Sequence, residues 1–517
     1  MLRANRVIPS RADNRVIPSR PSALLRAGCD REGSRAITAR VLSLLVALFI
    51  AAAAHADSDR YEQNVNKGLT YHGGRITIDH SFGAIDLRAG NNNEVEVRAH
   101  IRSSDPEIGR QISVEVSPAT AAGITIRTHY PEIHIHGGSI SYSVDLDVTV
   151  PANAPLMVRN KFGSITASGV RAASEFVNAQ GSIDARDFSG RQRIENSFGS
   201  IRLENSGGDT TLVNSNGSVT VTHVDGALDI TNRFGSVTAS DTKTLSVRTG
   251  NGSVDVRNVE GNATIIDSFA GVTVQNVRGD LDVNNQNGRV DLREIHGSAN
   301  VRNSFASVDF SGVARNLTVS SSNGHIGGSG VGGSATISGG FASVEVRDIG
   351  GPTKISNSNG NISATDVRSD LTVDTRFRLL RAEHIKGSLD VDNSNGGVTA
   401  SDIGGSARVH TSFASVFLKG VGGAVTVENE NGSIGVSGLR GACNDITLRT
   451  SFASIKVSLP ATHGYNVDAR TSFGSITTDV PITITHKSEN ALQGTIGVGG
   501  CRLTLSDNNG NITVGRE

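Results

Sequence analysis

The sequence is poor in the bulky side chains that fill the centre of a helical or α/β enzyme. It has no tryptophan, two methionines and 4% aromatic residues in a chain of 517, which argues against a compact enzyme of those classes. Glycine is abundant, with 60 residues, and Val, Ile, Thr, Ser and Asn dominate the rest. This composition is typical of many short strands joined by tight turns.

The N-terminal region has the order of features found in a secretory signal peptide. Arg35 and Arg40 precede an apolar run, Val41–Ala54, and Ala54-His55-Ala56 has the small-x-small form that signal peptidase cleaves. The run is shorter than the roughly 20 residues that a transmembrane helix needs, which weighs against a membrane anchor. We therefore expect export with cleavage after Ala56, and no membrane span afterwards.

Removal of this leader changes the charge of the protein. Residues 1–56 contain nine arginines and three acidic residues, so the mature chain has 40 basic and 47 acidic residues, a net charge of −7 with His neutral. Such a balance excludes the basic footprint of a nucleic-acid-binding protein. It suits a soluble exported protein.

Cysteine is also scarce, with three residues in the whole chain. Cys29 would be lost with the leader, which leaves Cys443 and Cys501. Two cysteines are too few for a disulfide framework. In an oxidising compartment they either form one disulfide or stay as two separately buried thiols, and the sequence leaves both open.

A short motif, Phe/Asn-Gly/Ala-Ser-Ile/Val, recurs along most of the chain. The copies keep an 18-residue period with a single 17-residue step, which indicates a repeat protein. A looser series follows at Phe452, Phe473, Gln493 and Asn509. The regular copies begin at Phe162, Gln180, Phe198, Asn216, Phe234, Asn251, Phe269, Asn287, Phe305, Asn323, Phe341, Asn359, Phe377, Asn395, Phe413 and Asn431.

Each repeat unit contains two short alternating stretches. In the unit that starts at Phe269, apolar residues fall at Val272, Val274 and Val277, then Gly279 precedes a second stretch from Leu281. The alternation predicts two strands with their apolar side chains on one face. One such unit cannot bury that face alone, so we expect the units to stack into a β-solenoid with a continuous core.

Polar residues recur two positions before the motif. Stacked in register, they are expected to form a ladder of amide and hydroxyl groups along the axis. The series runs through Asn196, Asn214, Asn232, Thr249, Asp267, Asn285 and Asn303.

Phenylalanine and asparagine alternate at the first motif position, which gives a 36-residue identity repeat. Like residues stack well on like in a solenoid, which favours a 36-residue coil with phenylalanine on one side and asparagine on the other. The alternative is an 18-residue coil with phenylalanine on every second level.

The chain divides by pattern into three parts: a leader at 1–56, an N-terminal β cap region at 57–160 and the β-solenoid repeat domain at 161–517. The middle part also alternates, as in Ile76-Thr77-Ile78, and carries one motif copy at Phe82. We expect it to cover the first open sheet edge.

The segment Val144–Ile165, VDLDVTVPANAPLMVRNKFGSI, is followed by repeated S-N-G-S-V and S-F-G-S-I units. Together they resemble the bacterial "putative adhesin" family, and the resemblance covers about residues 65–517. It implies an exported β-solenoid whose activity is mostly unassigned, and it supplies no binding residues to transfer. This chain departs from the family in its regular Phe/Asn alternation and its length.

Candidate metal sites are weak. Alternation places Glu132, His134 and His136 on one strand face with His129 just before them, a donor set that zinc or copper accepts. A polar outer face of a capping strand explains the same pattern. The glycine-rich segment Gly327–Gly333 lacks the aspartates of calcium-binding solenoid repeats, and Asn-Gly is what a tight turn needs.

A polysaccharide-cleaving solenoid is the enzymatic alternative, because glycosidic cleavage needs paired carboxyl groups. The tight loops leave no insertion to wall a cleft, and basic residues are mixed among the acids. Outward acidic residues occur at Asp255, Asp282, Asp291, Asp309 and Glu345.

The predicted fold is therefore an all-β, single-stranded β-solenoid with an N-terminal β cap. The expected function is that of an exported, non-catalytic adhesin or cell-envelope binding or scaffold protein, with no catalytic, cofactor-binding or metal residues assigned. Its expected partner is a surface or envelope protein or glycan, and its location is periplasmic, cell-surface or extracellular. A periplasmic envelope-stress or signalling accessory is the alternative function.

Overall fold

The computed structural model describes residues 60–117, 119–132 and 139–517. The predicted leader and its cleavage site lie outside these residues. Residues from Arg60 to Glu517 form one compact unit. Its described part contains 45 strands and one short helix, α1 (Pro106–Gln111), which Asp105 caps by accepting hydrogen bonds from the backbone N–H groups of Glu107 and Ile108.

The solenoid is built from 18-residue coils. Strand pairing is parallel, and Ser174 lies opposite Gln192, at a sequence separation of 18. The preference for a 36-residue coil is therefore wrong, because backbone hydrogen bonding joins each unit to the next and identical side chains need not be adjacent. The all-β solenoid of stacked 18-residue units is confirmed.

Most coils consist of two strands, one in each of two parallel sheets, so the body is a flattened sandwich. The strands Val219–Phe234 and Val237–Thr249 each continue from one sheet into the other. The "first turn" contains the motif, and the "second turn" lies at the opposite edge. In the chain segment that follows its own order, the strands are β8 (Leu156–Phe162), β9 (Ile165–Ser168), β10 (Ser174–Gln180), β11 (Ile183–Phe188), β12 (Gln192–Phe198), β13 (Ile201–Ser206), β14 (Thr210–Asn216), β15 (Val219–Phe234), β16 (Val237–Thr249), β17 (Val254–Val259), β18 (Ala263–Ile266), β19 (Val272–Val277), β20 (Leu281–Asn284), β21 (Val290–Ile295), β22 (Ala299–Asn303), β23 (Val308–Val313), β24 (Leu317–Ser321), β25 (Ile326–Val331), β26 (Ala335–Gly339), β27 (Val344–Ile349), β28 (Thr353–Asn357), β29 (Ile362–Val367), β30 (Leu371–Thr375), β31 (Leu380–Ile385), β32 (Leu389–Asn393), β33 (Val398–Ile403), β34 (Ala407–Thr411), β35 (Val416–Val421), β36 (Val425–Asn429), β37 (Ile434–Ser437), β38 (Ile446–Arg449) and β39 (Ile455–Leu459).

The core lies between the two sheets and is built from columns of equivalent apolar residues. Val272, Val274 and Val277 of β19 are buried, as their alternation predicts, and Leu281 of β20 closes the same coil from the other sheet. Each buried side chain of this size contributes about 1.5–3 kcal/mol. The repeated columns make the core continuous from coil to coil.

The second turn begins at a residue with left-handed backbone, in most coils Asp, Asn or His. Asn258 and Asn276, for example, have φ of 57° and 58°, a region that Asn tolerates better than most residues. The side-chain amide of Asn276 donates to Asn258 Oδ1 of the preceding coil over 2.8 Å. The single 17-residue step lacks one residue at this turn. The pairing register of β15 with β16 therefore shifts between Val224 and Ala227.

At the N-terminal end, the order of strands in space departs from their order in the chain. β2 pairs in parallel with both β6 and β8, and β3 pairs with both β7 and β9. The first coil, β2 with β3, is thus sandwiched between later ones, while β4 joins β1 to β7 by antiparallel pairing. The strands are β1 (Tyr61–Thr70), β2 (Arg75–Asp79), β3 (Ile85–Gly90), β4 (Glu94–Ser103), β5 (Ser113–Val116), β6 (Gly123–His129) and β7 (Tyr142–Pro151).

The C-terminal end has the mirror arrangement. β44 lies between β38 and β40, and β45 lies between β39 and β41, so the final strand pair of the chain is inserted one coil inside the stack. Antiparallel pairing of β43 with β40 and β42 covers the outer coil. The strands are β40 (Tyr465–Arg470), β41 (Ile476–Thr478), β42 (Ile482–Lys487), β43 (Ala491–Ile496), β44 (Cys501–Ser506) and β45 (Ile512–Arg516).

A disulfide links Cys443 to Cys501 across 58 residues of sequence. Cys443 lies in the connection between β37 and β38, and Cys501 begins β44. The bond therefore fastens the inserted strand pair to the coil on which it stacks. Of the two possibilities that the sequence leaves open, the structure shows pairing.

Candidate functional site

A single column of exposed phenylalanine side chains runs along the first turn. We call it the phenylalanine column; it comprises the first motif residue of every coil. Because stacking follows the 18-residue unit, phenylalanine and a polar residue alternate within this one column, which corrects the expectation of separate Phe and Asn sides. Ten phenylalanines in it are 41–84% exposed: Phe162, Phe198, Phe234, Phe269, Phe305, Phe341, Phe377, Phe413, Phe452 and Phe473.

The turn beneath the column is held by buried polar side chains two residues earlier. Asn285 donates through Nδ2 to the backbone carbonyl oxygens of Ala270, at 3.0 Å, and Gly288, at 2.9 Å. Ala270 belongs to the first turn of the preceding coil, and Gly288 belongs to the first turn of the coil that contains Asn285. The expected ladder of side chain to side chain is thus wrong, because the amides satisfy turn carbonyls, which are costly to bury unpaired.

Five of the eight asparagines within the column donate a side-chain hydrogen bond to the backbone of the coil below. Asn287 donates through Nδ2 to the carbonyl oxygen of Ser268 over 2.8 Å, and Asn323 donates to that of Ser304 over 3.2 Å. Their amides are therefore engaged with the coil below. These amides therefore leave the spaces beside them between phenylalanine rings open, whereas at Phe234 the Arg233 guanidinium lies over the ring, 5.5 Å from its centroid.

In the coils from Phe269 to Asn431, the residue that follows each column position alternates as well, between glycine and a residue with a side chain. Phe269 is followed by Ala270, but Asn287 is followed by Gly288. A Cβ atom on Gly288 would lie 1.7 Å from the carbonyl oxygen of Ala270, so only glycine fits above alanine. Two turn types therefore alternate in these coils, whereas between Phe162 and Asn251 every column residue is followed by glycine.

At the C-terminal end, phenylalanine and asparagine still alternate from one stacked coil to the next, although they do not alternate in chain order. The coils stack in the order of Asn431, Phe452, Asn509 and Phe473, because the last strand pair is inserted. In sequence order the pattern is interrupted there. Gln493, which the looser series included, lies in the antiparallel strand β43 and outside the column.

The N-terminal end carries an aromatic cluster. The rings of Phe82 and Phe162 stack with centroids 5.1 Å apart and an angle of 1° between their planes. Tyr130 and Tyr142 pack edge-on against Phe82, and burial raises the pKa of Tyr130 to about 12. Here two adjacent coils both carry phenylalanine, and the rings fill each other's space.

The acidic residues that the sequence predicts to point outward are distributed over two sheets. Asp255, Asp291, Asp309 and Glu345 lie on the sheet that follows the first turn, while Asp282 lies on the other. Four of them form ion pairs with arginine: Asp255 with Arg257 at 2.8 Å, Asp291 with Arg293 at 2.9 Å, Asp309 with Arg289 at 3.0 Å, and Asp282 with Arg302 at 3.8 Å.

A shallow depression of about 410 Å³ lies beside this acidic column. It arises because Gly327 stands between Asp309 and Glu345 and offers no side chain. Gly327 and Gly328 lie in β25. The glycine-rich segment Gly327–Gly333, which was considered as a calcium-binding repeat, therefore begins as an ordinary strand of the sheet.

The histidine-rich segment is only partly within the described residues. His134 and His136 lie outside them. His129 Nε2 lies 2.8 Å from Glu115 Oε2 of the paired strand β5, and Glu132 is exposed. In the described part of the chain, no cluster of three His, Cys, Asp or Glu side chains is placed to hold a metal ion.

The exposure of the phenylalanine column is the feature that sequence reasoning missed. A signal was present: nine of the ten phenylalanines have Ser, Gly or Ala on at least one side, and all ten stand apart from the alternating apolar positions of the strands. Among the described residues, no helix is long and apolar enough to cross a bilayer.

Residues 311–515 match the family model described as Toastrack DUF4097. Two solved structures are also similar to this chain. A "putative cell adhesion protein" from Clostridium sporogenes is 9% identical, with 88% of this chain and 100% of that chain covered and a TM-score of 0.15. A "putative adhesin" from Parabacteroides distasonis is 10% identical, with 55% and 97% covered and a TM-score of 0.18. No curated protein matches the chain.

Proposed function

From the premise that residues 311–515 match the Toastrack DUF4097 family within a β-solenoid, we propose that the protein is an exported, non-catalytic adhesin or scaffold of the cell envelope. It acts through the phenylalanine column. The division into a leader at 1–56, a cap at 57–160 and a solenoid at 161–517 is part of the proposal.

The observation that carries the proposal is the phenylalanine column itself. Ten exposed aromatic side chains are aligned along one edge and form an apolar surface. An ordinary monomer instead exposes its large apolar side chains singly. Aromatic residues supply most of the binding energy at protein contacts. A contact surface of this length suits attachment to another extended structure.

Export is supported by the basic, apolar and small-x-small order of the leader and by the disulfide. A disulfide between Cys443 and Cys501 is stable in a periplasmic or extracellular compartment and is rare in the cytosol. The net charge of −7 for the chain after Ala56 fits a soluble exported protein.

A non-catalytic role is supported by the surroundings of the outward acids. Asp255, Asp291 and Asp309 are neutralised by arginine. A glycosidase needs one carboxyl group with a raised pKa and one ionised partner across the scissile bond. Charge-paired carboxylates on an open sheet serve this chemistry poorly.

The first test is location. Intact cells are treated with protease, and this protein is followed by antibody beside a periplasmic marker. Loss of the protein while the marker survives places it on the surface and supports adhesion. Survival of both until the outer barrier is opened contradicts surface adhesion and favours the periplasmic scaffold or the envelope-stress accessory that binds through its cap.

The second test addresses the column. Phe269, Phe305, Phe341 and Phe377 are replaced by serine, and the fraction of the exported protein retained in washed cell envelopes is measured. We expect at least a roughly tenfold loss, since several aromatic anchors are removed together. Phe417→Ser, an exposed phenylalanine on the sheet face, is the matched control. Unchanged retention of the fourfold variant contradicts the proposal.

A further inference from the structure

We propose that the phenylalanine column binds a second copy of this chain, with the two columns interdigitated in an antiparallel dimer. The inference rests on the proposed function, because both use the phenylalanine column, and it identifies the partner as a second copy of the chain. It follows from the spacing of the rings, the chemistry of the edge and the area that the contact would bury.

The column is complementary to itself. Parallel strands repeat at about 4.8 Å, so phenylalanines on every second coil are about 9.6 Å apart. A copy shifted by one coil places its rings in the spaces above the asparagines. Each ring then lies about 4.8 Å from its neighbours, within the 4.5–7 Å of stacked aromatic pairs.

The protein already contains one such stack. Phe82 and Phe162 lie on adjacent coils with parallel rings 5.1 Å apart. Interdigitation would extend this arrangement along the edge, with every second ring supplied by the second copy. The amides of Asn287 and Asn323 are bound to the backbone below them, which keeps the receiving spaces open.

The edge around the rings favours close approach. The residues beside each phenylalanine are mostly Ser, Gly and Ala, as in Ser304-Phe305-Ala306 and Ser412-Phe413-Ala414. Two chains with the same net charge repel each other least through an uncharged surface. An anionic membrane would be matched by basic groups, and of the residues that directly flank the ten phenylalanines only Lys161, Arg233, Arg376 and Arg378 are basic.

The contact is large enough for a stable dimer. A buried aromatic side chain covers 150–250 Å², so ten rings that are about 60% exposed offer on the order of 1,000 Å² per partner. A standard interface buries about 800 Å² per partner. The phenylalanines alone exceed that area.

Symmetry sets the orientation. A two-fold axis parallel to the solenoid would bring the rings of both copies to the same level, where they collide. A parallel pair offset by one coil leaves an open, non-closing contact. A two-fold axis perpendicular to the solenoid, passing midway between a phenylalanine coil and an asparagine coil, interleaves the rings and closes the dimer.

The experiment is sedimentation equilibrium of the full protein purified after export, over a range of concentrations. We expect a monomer–dimer equilibrium, and the change of Phe269, Phe305, Phe341 and Phe377 to serine should raise the dimer dissociation constant by at least about 100-fold. Phe417→Ser should leave it unchanged. Thermal unfolding of each variant establishes that it is folded.

A second variant separates interdigitation from general stickiness. Asn287→Phe with Asn323→Phe adds exposed apolar surface but fills two receiving spaces. Interdigitation predicts at least about a tenfold weaker dimer, whereas non-specific association predicts a stronger one and overturns the inference. A wild-type monomer at all concentrations also overturns it.

The two proposals fail in different ways. A monomeric protein whose envelope retention still depends on the column disproves the dimer and leaves the adhesin or scaffold role standing. A dimer that depends on the column, with envelope retention unchanged in the same variants, supports the dimer and contradicts the proposed function.

Discussion

A buried polar side chain two residues before the phenylalanine column stabilises the first turn in every solenoid coil except that of Phe341, where Gly339 stands at this position. In most coils it is Asn or Thr, but Asp267 and Asp507 occupy the same place and are buried. Burial raises the pKa of both carboxyl groups. Asp267 accepts a hydrogen bond at Oδ2 from the backbone N–H of Ala270, while its Oδ1 has no partner. A carboxylate cannot donate to the turn carbonyls as an amide does.

The substitution Asp267→Asn should therefore stabilise the protein. The new amide has the carbonyl groups of Gly252 and Ala270 in the positions that Asn285 uses for its two hydrogen bonds. Removal of a buried, partly unsatisfied carboxylate should increase stability by roughly 1 kcal/mol at pH 7. The measurement is the urea midpoint of unfolding, with Asn285→Asp as the matched reverse change, which should lower it.

The same substitution has a defined pH dependence. Because the folded-state pKa of Asp267 is raised, the folded protein binds this proton more tightly than the unfolded chain does. Stability is lost as the pH rises from the unfolded-state pKa, about 3.9, through the folded-state value. The advantage of Asp267→Asn should thus shrink near pH 3.5. An equal advantage at both pH values would contradict this account.

At the scale of strands, both ends of the solenoid protect their open edges by insertion. β2 with β3 and β44 with β45 each lie one coil inside the stack, and antiparallel strands cover the coil outside them. An exposed edge of a parallel sheet invites further strand addition. Inserting the terminal strands makes the outer coil depend on residues from elsewhere in the chain, so an end cannot fray one strand at a time.

The disulfide should stabilise this C-terminal insertion in particular. It closes a loop of 58 residues, which in the chain-entropy model corresponds to about 4 kcal/mol. For Cys443→Ser with Cys501→Ser, we expect hydrogen exchange to accelerate in β38–β45 and to stay unchanged in β20–β30, because solenoid coils contact only their neighbours. Uniform acceleration along the chain would contradict a local role.

At the scale of the whole molecule, the alternation of two turn types from Phe269 to Asn431 makes a pair of coils the unit of exchange there, although a single coil is the unit of stacking. Above Ala306 lies Gly324, where a Cβ atom would be 1.7 Å from the Ala306 carbonyl oxygen. Alanine therefore cannot follow alanine in consecutive turns of this region. This part of the solenoid can lengthen or shorten by two coils more readily than by one.

Deletions test this rule directly. Removing residues 323–358 joins Ser322 to Asn359 and restores a glycine turn above Ala306, so the shorter solenoid should unfold within a few degrees of the parent. Removing only residues 323–340 places Ala342 above Ala306 and two phenylalanines on adjacent coils. It should lower the midpoint by several degrees, as over-packing does. Thermal unfolding by circular dichroism compares the two; equal midpoints would refute the rule.

The sequence by itself determined the β-solenoid, its 18-residue unit and the identity of the core. These features are local: alternation selects strands, glycine and asparagine mark turns, and the apolar columns follow from stacking one unit on the next. Val272, Val274 and Val277 could be assigned to the core because their environment repeats in every coil. The polar positions could be found in the same way, but their hydrogen-bond partners could not.

Only the tertiary structure decided which residues share a level, and with that the candidate site. Whether phenylalanine and asparagine form one column or two depends on which strands exchange hydrogen bonds, and a repeat of 18 within 36 is compatible with both. The order Phe452, Asn509, Phe473 and the pairing of Cys443 with Cys501 depend on the insertion of β44 and β45. These contacts join residues far apart in the chain, so no local pattern specifies them; the packing of the complete stack does.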